Sequence, residues 1–521
     1  MFDTIIRGGK VIDGNGTPWF YADVAIVGGK VVAVARNLQG EAKRVIDAKG
    51  KFVCPGFIDI HSHADTAILR SPGRVPKVTQ GVTTEVFSNC GLGGAPVNEA
   101  GRSALLEYTS EDYEGLDFNW LRVSEYLGRI PRAGVNTAYL IPHGAARSSA
   151  MGYAARPATK AEIDVMRGLV EEGMEDGAFG LSTGLAYVPM SSSVPDEIVA
   201  LCEVVGRHGG FLASHLRNYR EGIVDSINEM NRSAKEAGVP VQVSHYAASG
   251  AYHLGHGKQF EQYIIDAREQ GYDLTYDSYP YHFSAGFTRN TIPAKYHNDG
   301  VVGLVRCLKD PGLRNALRNE VGVLTNYDIT KLVITSVGKP ELRHLVGKSL
   351  PDGAKEAGKD VLDFLCDTLA QDPSIGHANF SGNLEDMKIL AKSPLHMVAS
   401  DSIDVIPGRG KAHPRLYGTF TRFLRMYVKE TPLLTWEQAI WKMTGFPAWR
   451  LGLQKRGAVK AGAFADLVVL NPSEVTDRAT LESPELTSLG IEWVMVNGVV
   501  EVASGKVTGD LGGVVLRKGD A

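Results

Sequence analysis

The stretch FIDIHSHAD, residues 57–65, decides the fold. Its start is apolar, with Phe57 and Ile58, and the CPG before it is typical of a turn, so the pattern predicts a short buried strand. The strand leads into His61 and His63, which are two residues apart and therefore share one face. Two imidazoles aimed at one point by a strand that leaves the core indicate a metal site.

Outward from this stretch, the middle of the chain alternates strand-like and helix-like segments. Two of the helices are predicted from capping boxes, Thr159 with Glu162 and Thr435 with Gln438. The predicted strands are 57–61, 82–87, 135–141, 177–182, 210–215, 239–245, 272–277 and 396–401. Eight strands that alternate with helices predict a parallel TIM-like (β/α)8 barrel of the α/β class, whose site lies at the C-terminal strand ends.

The two ends of the chain carry short β-branched runs separated by glycine turns. We therefore expect a small β-sandwich domain built from residues 1–55 and 453–521, around a catalytic barrel at 56–452. About 120 residues separate strands seven and eight, where a typical unit takes about 30–40. The excess predicts an inserted subdomain at about 285–345, placed as a lid over the mouth.

Composition excludes several classes of function. The chain has 521 residues, 44% of them hydrophobic, and a formal net charge of −4 without a long basic run, which argues against nucleic acid and anionic membranes as partners. No run of 18 apolar residues occurs, and the start lacks the apolar core of a signal peptide. Five cysteines, an odd number without a CxxC pair, favour a reducing cytoplasm.

The predicted strand tips carry side chains that ligate metals, namely His61, His63, Cys90, His143, His215, His245 and Asp401. Imidazole, thiolate and carboxylate groups that converge on one point are the ligands of a divalent metal such as zinc. Each has a plainer alternative: a lone histidine is more often structural, a lone cysteine is more often a small buried hydrophobe, and Asp401 could cap a helix. The set as a whole favours the metal, and His143 is left open. CGLGG lacks the GxGxxG and GxxxxGK[ST] patterns, so a nucleotide site is not expected.

These residues and their surroundings resemble the amidohydrolase superfamily and, within it, the D-aminoacylase (N-acyl-D-amino-acid deacylase) family. The resemblance covers nearly the whole chain, through PGFIDIHSHAD, QGVTTEVFSNCG, GAFGLSTGLAYVP, SHLR, VSHY, DSYPY, ASD and HPRLYGTF. The HxH pattern is shared by the superfamily, whereas NCG together with GLSTGL and HPR is much narrower. The resemblance implies the same barrel, β-sandwich and insertion.

The resemblance also implies how metals are held. Many relatives bridge two metals with a carboxylated lysine from strand four, but GAFGLSTGL contains no lysine. Cys90 matches the cysteine that replaces that lysine in D-aminoacylases, and His215 and His245 complete one tight zinc site. His61, His63 and Asp401 match a second site that is weaker or absent. Asp401 is the implied catalytic base in the hydrolysis of a linear amide, a small-molecule substrate.

For substrate binding the resemblance favours Arg415, whose planar fork suits a carboxylate. Tyr187 and Tyr281, in loops after strands four and seven, are candidates for additional hydroxyl donors, and His143, at the end of strand three, is a further candidate for substrate binding. Ala247 stands where relatives commonly carry a lysine that holds the substrate's carboxylate. A bulkier or less acidic N-acyl compound is therefore an alternative to an N-acyl-D-amino acid.

Other readings stay open. A hydantoinase-type cyclic-amide hydrolase would usually need the missing lysine, and a deaminase would usually place Glu where Asn218 stands. A scaffold without catalysis would be expected to have lost ligands, and this chain retains them. The sequence is compatible with a homo-oligomer but does not predict one.

Overall fold

The computed structural model describes residues 1–249, 253–320 and 328–519, without the side chains of Ser110 and Glu111. Its central strands pair in parallel and follow one another in chain order. In the described part of the chain these barrel strands are Phe57–Asp59, Val82–Phe87, Asn136–Tyr139 (continued by Ile141–Pro142), Gly180–Gly184, Phe211–His215, Val241–Val243, Leu274–Ser278 and His396–Val398. The predicted (β/α)8 barrel is confirmed.

The barrel closes at its mouth through two short strands. Ser62–His63 extends the first barrel strand, Ser402–Ile403 extends the eighth, and the two pair in parallel. The Asp401 amide also donates to the carbonyl oxygen of His61 at 2.8 Å. Closure therefore holds together the two segments that carry half of the predicted metal ligands.

The helices of the described residues surround the barrel and fill the long connection before its last strand. They are Ala67–Arg70, Val75–Val78, Glu99–Tyr108, Ser110–Tyr113, Val123–Arg129, His143–Met151, Lys160–Glu175, Pro195–Arg207, Ile223–Ala237, Gly257–Glu269, Gly300–Lys309, Pro311–Leu317, Leu350–Glu356, Val361–Gln371, Leu384–Lys392, Arg415–Leu424, Trp436–Met443 and Gly445–Leu451. Both predicted capping boxes, at Thr159 and Thr435, are confirmed. No helix among the described residues is both long and apolar enough to cross a membrane.

Both termini build one β-sheet with its own apolar core, as predicted. Its strands are Phe2–Val11, Phe20–Val27, Lys30–Ala35, Ala42–Asp47, Phe52–Pro55, Leu467–Leu470, Ile491–Val496, Val499–Ala503 and Lys506–Val507. The N- and C-terminal halves meet where Cys54 pairs with Val468 in antiparallel register. The predicted domain boundaries at residues 55 and 453 stay a prediction.

A second small sheet lies between barrel strands seven and eight. It consists of the antiparallel strands Ser284–Phe287, Gly376–Asn379 and Leu332–Ser336. Residues between Ile292 and Ile375 form a separate apolar cluster beside it. The strand Gly376–Asn379 lies beyond the predicted insertion of about 285–345, whose boundaries also stay a prediction.

Candidate active site at the barrel mouth

Side chains from five barrel strands meet at the C-terminal end of the barrel. Because parallel strands end at one edge, residues at or just beyond each strand end become neighbours although they are far apart in the chain. The structure brings together His61, His63, Cys90, His215, His245 and Asp401, all buried or nearly so. The predicted meeting of these six side chains is therefore what the structure contains.

Four of them form the centre of the cluster. One donor atom from each of His61, Cys90, His245 and Asp401 lies within 4.8 Å of the other three. The Cys90 Sγ is 3.3 Å from the His61 Nε2 and 3.5 Å from the His245 Nε2. His215 joins from the fifth strand, with its Nδ1 2.7 Å from the His245 Nε2 and 3.9 Å from the Cys90 Sγ.

The Asp401 carboxylate bridges the other half of the cluster. Its Oδ1 is 3.3 Å from the His61 Nε2 and 3.1 Å from the His63 Nε2. Its Oδ2 accepts a hydrogen bond of 2.7 Å from the guanidinium of Arg415. One carboxylate oxygen thus faces the imidazoles, while the other is held by a cation.

The backbone of the cluster is strained at three of its six positions. Cys90, His245 and Asp401 have φ of 55°, 34° and 47°, in or near the left-handed region that residues other than glycine rarely adopt. Each such residue costs on the order of 1–3 kcal/mol and persists only where the surrounding structure fixes it. The surrounding fold therefore keeps three residues in a backbone conformation that they would not adopt in an unconstrained chain.

Asp277 orients two of the imidazoles from behind, a role that the sequence did not predict. Its Oδ1 accepts from the His61 Nδ1–H at 3.2 Å and from the His245 amide at 2.8 Å, and its Oδ2 accepts from Gln242 at 3.1 Å. In the neutral ring, donation by Nδ1–H leaves the lone pair of the His61 Nε2 facing the cluster, where it is free to bind a metal. The signal in the sequence was an aspartate inside a barrel strand, just before SYPY.

Neighbouring charges shift the protonation of the cluster. Burial by itself would raise the pKa of Cys90, but His61 and His245 bring that pKa well below its ordinary value. Burial likewise opposes ionisation of Asp401, yet Arg415 and the histidines lower its pKa well below the usual range. Burial and His245 lower the pKa of His215 to about 4. Burial by itself would lower the pKa of His61, but Cys90, Asp277 and Asp401 raise that pKa well above its ordinary value. In the metal-free chain a thiolate and a carboxylate are therefore paired with a protonated histidine.

This donor set fits a transition metal. Zinc binds thiolate sulfur at about 2.3 Å and imidazole nitrogen at about 2.0–2.1 Å, so tetrahedral ligands lie roughly 3.3–3.8 Å apart. The separations of Cys90 from His61 and His245 fall in or at the edge of that range. The 2.7 Å between His215 and His245 is shorter, so these two rings would have to separate slightly to share an ion. A thiolate with histidines favours zinc over magnesium or calcium.

The four residues predicted to bind substrate are placed very differently from one another. Tyr187 lies over the cluster, with its ring 4.3 Å from that of His215. The hydroxyl of Tyr281 donates to the carbonyl oxygen of Pro414 at 3.3 Å, and its ring lines the mouth.

His143 does not reach the mouth. It is fully buried, and its two ring nitrogens are 2.9 Å from the Thr183 hydroxyl and 2.8 Å from the Glu197 carboxylate. Glu197 is also paired with the buried Arg147. A substrate could reach His143 only by displacing this network, so the structure supports a structural role for it and not the predicted substrate contact.

Arg415 is buried against Asp401 and lines neither of the two cavities that open at the barrel mouth. Its guanidinium lies 4.6 Å over the ring of Tyr279, and its Nε has no hydrogen-bond partner among the described residues. His413 fixes its backbone by accepting the Arg415 amide at 3.0 Å. The sequence named Arg415 but missed both Tyr279 and His413, for which the DSYPY and HPR motifs were the available signal.

Two cavities open from the cluster. The first has a volume of about 450 Å³ and is lined by His215, His245, Asp401, Tyr187, Tyr281 and Ala247 among others. The second has a volume of about 520 Å³ and begins at His63 and Gly91, next to Cys90. Tyr187 and Asn290 line both cavities, so the cluster lies between two separate spaces.

Comparison with known proteins gives one consistent answer. The amidohydrolase family model matches residues 44–318 and 356–502. A D-aminoacylase of Alcaligenes xylosoxydans xylosoxydans is 35% identical over 520 residues, which are 99% of this chain and 98% of that protein.

Solved structures agree in the whole fold. A D-aminoacylase studied for its binuclear metal centre has a TM-score of 0.84 and 33% identity, with 99% of this chain and 100% of that chain covered. The N-acyl-D-glutamate deacylase of Bordetella bronchiseptica, solved with zinc and a phosphonate inhibitor that mimics the tetrahedral intermediate, has a TM-score of 0.84 and 31% identity, with 99% of each chain covered.

Proposed function

Because the chain belongs to the amidohydrolase family, in its D-aminoacylase branch, we propose that it is a zinc-dependent hydrolase of linear amides. Its substrate is an N-acyl-D-amino acid or a related N-acyl compound, which is cleaved to a carboxylate and an amine. One observation carries the proposal: four donor groups, one from each of His61, Cys90, His245 and Asp401, converge beside a cavity at the barrel mouth.

The chain offers two neighbouring sets of three candidate ligands. Cys90, His215 and His245 would hold the tighter zinc, and His61, His63 and Asp401 would hold a second, weaker one. Bound zinc lowers the pKa of water towards about 7 and polarises the scissile carbonyl group. The distances within each set, from 2.7 to 3.9 Å in the first, support this assignment.

Asp401 is the proposed general base. Its carboxylate faces the cluster with one oxygen, while Arg415 fixes the other at 2.7 Å and so sets the direction of the first. Asp401 takes a proton from the attacking water and passes it to the leaving nitrogen. The carbon–nitrogen bond breaks, the water's oxygen stays on the acyl carbon, and the amine leaves with the proton.

The fourth barrel strand argues against a cyclic-amide hydrolase. Gly180–Gly184 contains no lysine that could bridge two metals. Among the described residues the buried Lys77 lies beside strands one and eight, but its ammonium group donates to Asp59, Ser400 and Ser402 below the cluster. Because Cys90 matches the cysteine that replaces the bridging lysine in D-aminoacylases, linear-amide hydrolysis is better supported than cyclic-amide hydrolysis.

Metal analysis with a small substrate panel tests the proposal. Elemental analysis of protein purified without added metal should give at least one zinc per chain, and N-acyl-D-amino acids should be hydrolysed faster than N-acyl-L-amino acids or hydantoins. Full activity in chelator with no bound metal would refute the metal, and turnover of cyclic amides alone would refute the reaction class.

A pair of cysteine variants tests the ligand set. Cys90→Ala should lose the tight zinc, whereas Cys202→Ala should retain it, because Cys202 is buried in the helix Pro195–Arg207 away from the cluster. Equal zinc content in the two variants would remove Cys90 from the ligands.

All five cysteines lie in the described residues and are free. This supports a reducing compartment, and the cytoplasm is the proposed location.

A further inference from the structure

The second cavity is as large as the first, yet the proposed chemistry leaves it unused. An amide has two halves, one on each side of the scissile bond, and the cluster likewise has a cavity on each side. The second cavity begins at His63 and Gly91 and shares the wall of Tyr187 with the first. A substrate centred on the cluster would therefore extend into both spaces.

The lining of the second cavity is largely apolar. It is built by the segment after the first barrel strand, the helix Glu99–Tyr108 and the loop after the eighth strand. Its apolar side chains include Leu92, Leu105, Tyr153, Met190, Val405 and Ile406. A volume of about 520 Å³ is far more than an acetyl group needs and lies within the range of pockets that bury whole ligands.

Charge decides which half of the substrate belongs there. Four carboxylates line the second cavity, those of Asp65, Asp112, Asp404 and Glu485. Its arginines are already engaged. Arg74 pairs with Asp404 at 3.0 Å and with Glu85 at 2.8 Å, and Arg70 donates to two backbone carbonyl oxygens. Arg289 donates to the carbonyl oxygen of Pro373 at 3.2 Å and lies 4.9 Å over the ring of Tyr108. An anionic group would meet like charge there.

The first cavity has the opposite balance. Its cations are Arg217 and Lys295, which pair with Glu229 at 2.9 Å and Glu320 at 2.7 Å, carboxylates that lie outside its lining. Asp401, which Arg415 holds, is the carboxylate in its described lining. The carboxylate-bearing amine half of an N-acyl amino acid suits the first cavity, and the neutral acyl half suits the second.

Resting on the proposed function, we infer that the second cavity binds the acyl chain, and that the preferred substrates carry a long apolar acyl group of about eight or more carbons in place of acetyl. The acyl chain would run from the cluster past Tyr187 and between the helix Glu99–Tyr108 and the 403–412 loop. Hydrolysis then releases a fatty acid and an amino acid.

A chain-length series tests the inference with the unmodified enzyme. One D-amino acid is acylated with acetyl, butanoyl, hexanoyl, octanoyl and decanoyl groups, and kcat/KM is measured for each. Each buried methylene contributes about 0.8 kcal/mol, which corresponds to about a fourfold rise, so kcat/KM should increase by two- to fourfold per carbon until the cavity is filled. A flat or falling series with good acetyl turnover would overturn the inference and leave the proposed function intact. Turnover of no member of the series would instead overturn the proposed function.

A pair of aspartate substitutions locates the acyl chain. Ile406 lines the second cavity and Ala294 the first, and both are partly exposed, so a carboxylate at either position is tolerated by the fold. Ile406→Asp should cut kcat/KM for the octanoyl substrate at least tenfold and that for the acetyl substrate less than threefold. Ala294→Asp should weaken both substrates alike, because it faces the amine half. The reverse pattern would place the acyl chain in the first cavity.

Inhibition by decanoate gives a measurement that needs no variant. Decanoate is the product of the longest substrate, and it should compete with the acetyl substrate at least tenfold more strongly than butanoate does. Equal inhibition by the two acids would contradict an acyl site in the second cavity.

Discussion

Two buried polar clusters lie one above the other in this barrel, and they differ in how their charges are balanced. The mouth cluster contains His61, Cys90, His245 and Asp401. The floor cluster contains Asp59, Glu85 and Ser400, from or just after strands one, two and eight, together with Lys77 and Arg74, from the helix Val75–Val78 and the residue before it. Asp59 and His61, or Ser400 and Asp401, are neighbours in sequence, yet the two clusters have different chemistry.

The floor cluster is complete in itself. The Lys77 ammonium group donates to Asp59 at 2.6 Å and to the hydroxyls of Ser400 and Ser402 at 2.7 Å, and it also lies 3.3 Å from Glu85. Arg74 neutralises Glu85 at 2.8 Å. Every charge has an opposite charge from the chain, which is what a buried ion pair requires to be stable.

The mouth cluster is balanced only in part by the protein. Arg415 holds Asp401, but the donor atoms of Cys90, His61 and His245 face one another with no lysine or arginine among them. Buried donors of this kind call for an external cation. The floor cluster therefore has the permanent cations Lys77 and Arg74, whereas the charges of Cys90 and its neighbours are balanced only by titratable histidines, which a metal ion could replace. Only the mouth cluster is expected to be functional.

The largest expected effect is on catalysis at the mouth. Asp401→Asn should lower kcat by about 10²–10⁴, since a general base contributes about that factor, while Cys90, His215 and His245 keep the tight zinc. Steady-state kinetics with elemental analysis measures both. Asp360→Asn, at an exposed helix N-cap in the connection between barrel strands seven and eight, is the control and should leave kcat unchanged. Near-normal turnover of Asp401→Asn would mean that the base lies elsewhere.

A substitution in the floor cluster should lower the stability of the fold and leave zinc binding intact. Lys77→Met leaves Asp59 buried without its cation and should lower the free energy of unfolding by about 3–5 kcal/mol. Denaturant unfolding measures this, and the folded fraction should still bind zinc. Lys160→Met removes an exposed pair with Asp164 and should cost less than about 0.5 kcal/mol. Loss of zinc by Lys77→Met without loss of stability would show that the floor belongs to the site.

Arg415 holds Asp401 and is also the predicted anchor for the substrate's carboxylate. Its substitution therefore separates two effects, one on kcat and one on KM. Arg415→Lys replaces a planar fork by a point charge. If Arg415 fixes Asp401, kcat falls equally for a carboxylate-bearing amide and its methyl ester. If it also anchors the substrate, KM rises about tenfold for the carboxylate alone.

The matched control for Arg415 is Arg422→Lys, on the same helix, where the guanidinium pairs with Asp477. It should alter neither parameter in a charge-dependent way. Identical KM changes for the acid and the ester of Arg415→Lys would end the predicted role of Arg415 as a carboxylate anchor.

The smallest expected effect is on stability and concerns Glu501, a buried carboxyl group in the β-sandwich that has, among the described residues, no cationic partner like those of the floor cluster. Its carboxyl group is buried and accepts the Gly512 amide at 2.6 Å, and burial raises its pKa to about 8. A folded-state pKa above the unfolded value of about 4.5 means that stability falls as pH rises from about 4.5 to 8. Glu501→Gln keeps an acceptor for Gly512 and should gain about 1 kcal/mol at pH 8 and almost nothing at pH 4.5.

Thermal unfolding at pH 4.5, 6 and 8 measures this difference. Glu492→Gln, on the neighbouring strand and paired with Lys51, is the control for pH and should not gain stability as pH rises. A gain for Glu501→Gln that does not vary with pH would show that its carboxyl group is already ionised.

The sequence by itself determined the barrel, the terminal β-sheet and the cluster of ligands. These follow from local rules: strand alternation aims His61 and His63 at one face, and parallel strands bring their ends to one edge. Cys90 and Asp401 were identifiable for the same reason, since Asp401 ends a predicted strand and Cys90 comes three residues after one.

Only the tertiary structure decided what surrounds those ligands. His143 also follows a strand, but Glu197, buried 54 residues later, takes its ring away from the mouth. Asp277 became the partner of His61, Arg415 turned to Asp401, and loops far apart in the chain enclosed the second cavity. The physical reason is that a buried charge takes whichever partner the packing brings near, and that partner is set by contacts between distant segments and not by the local sequence.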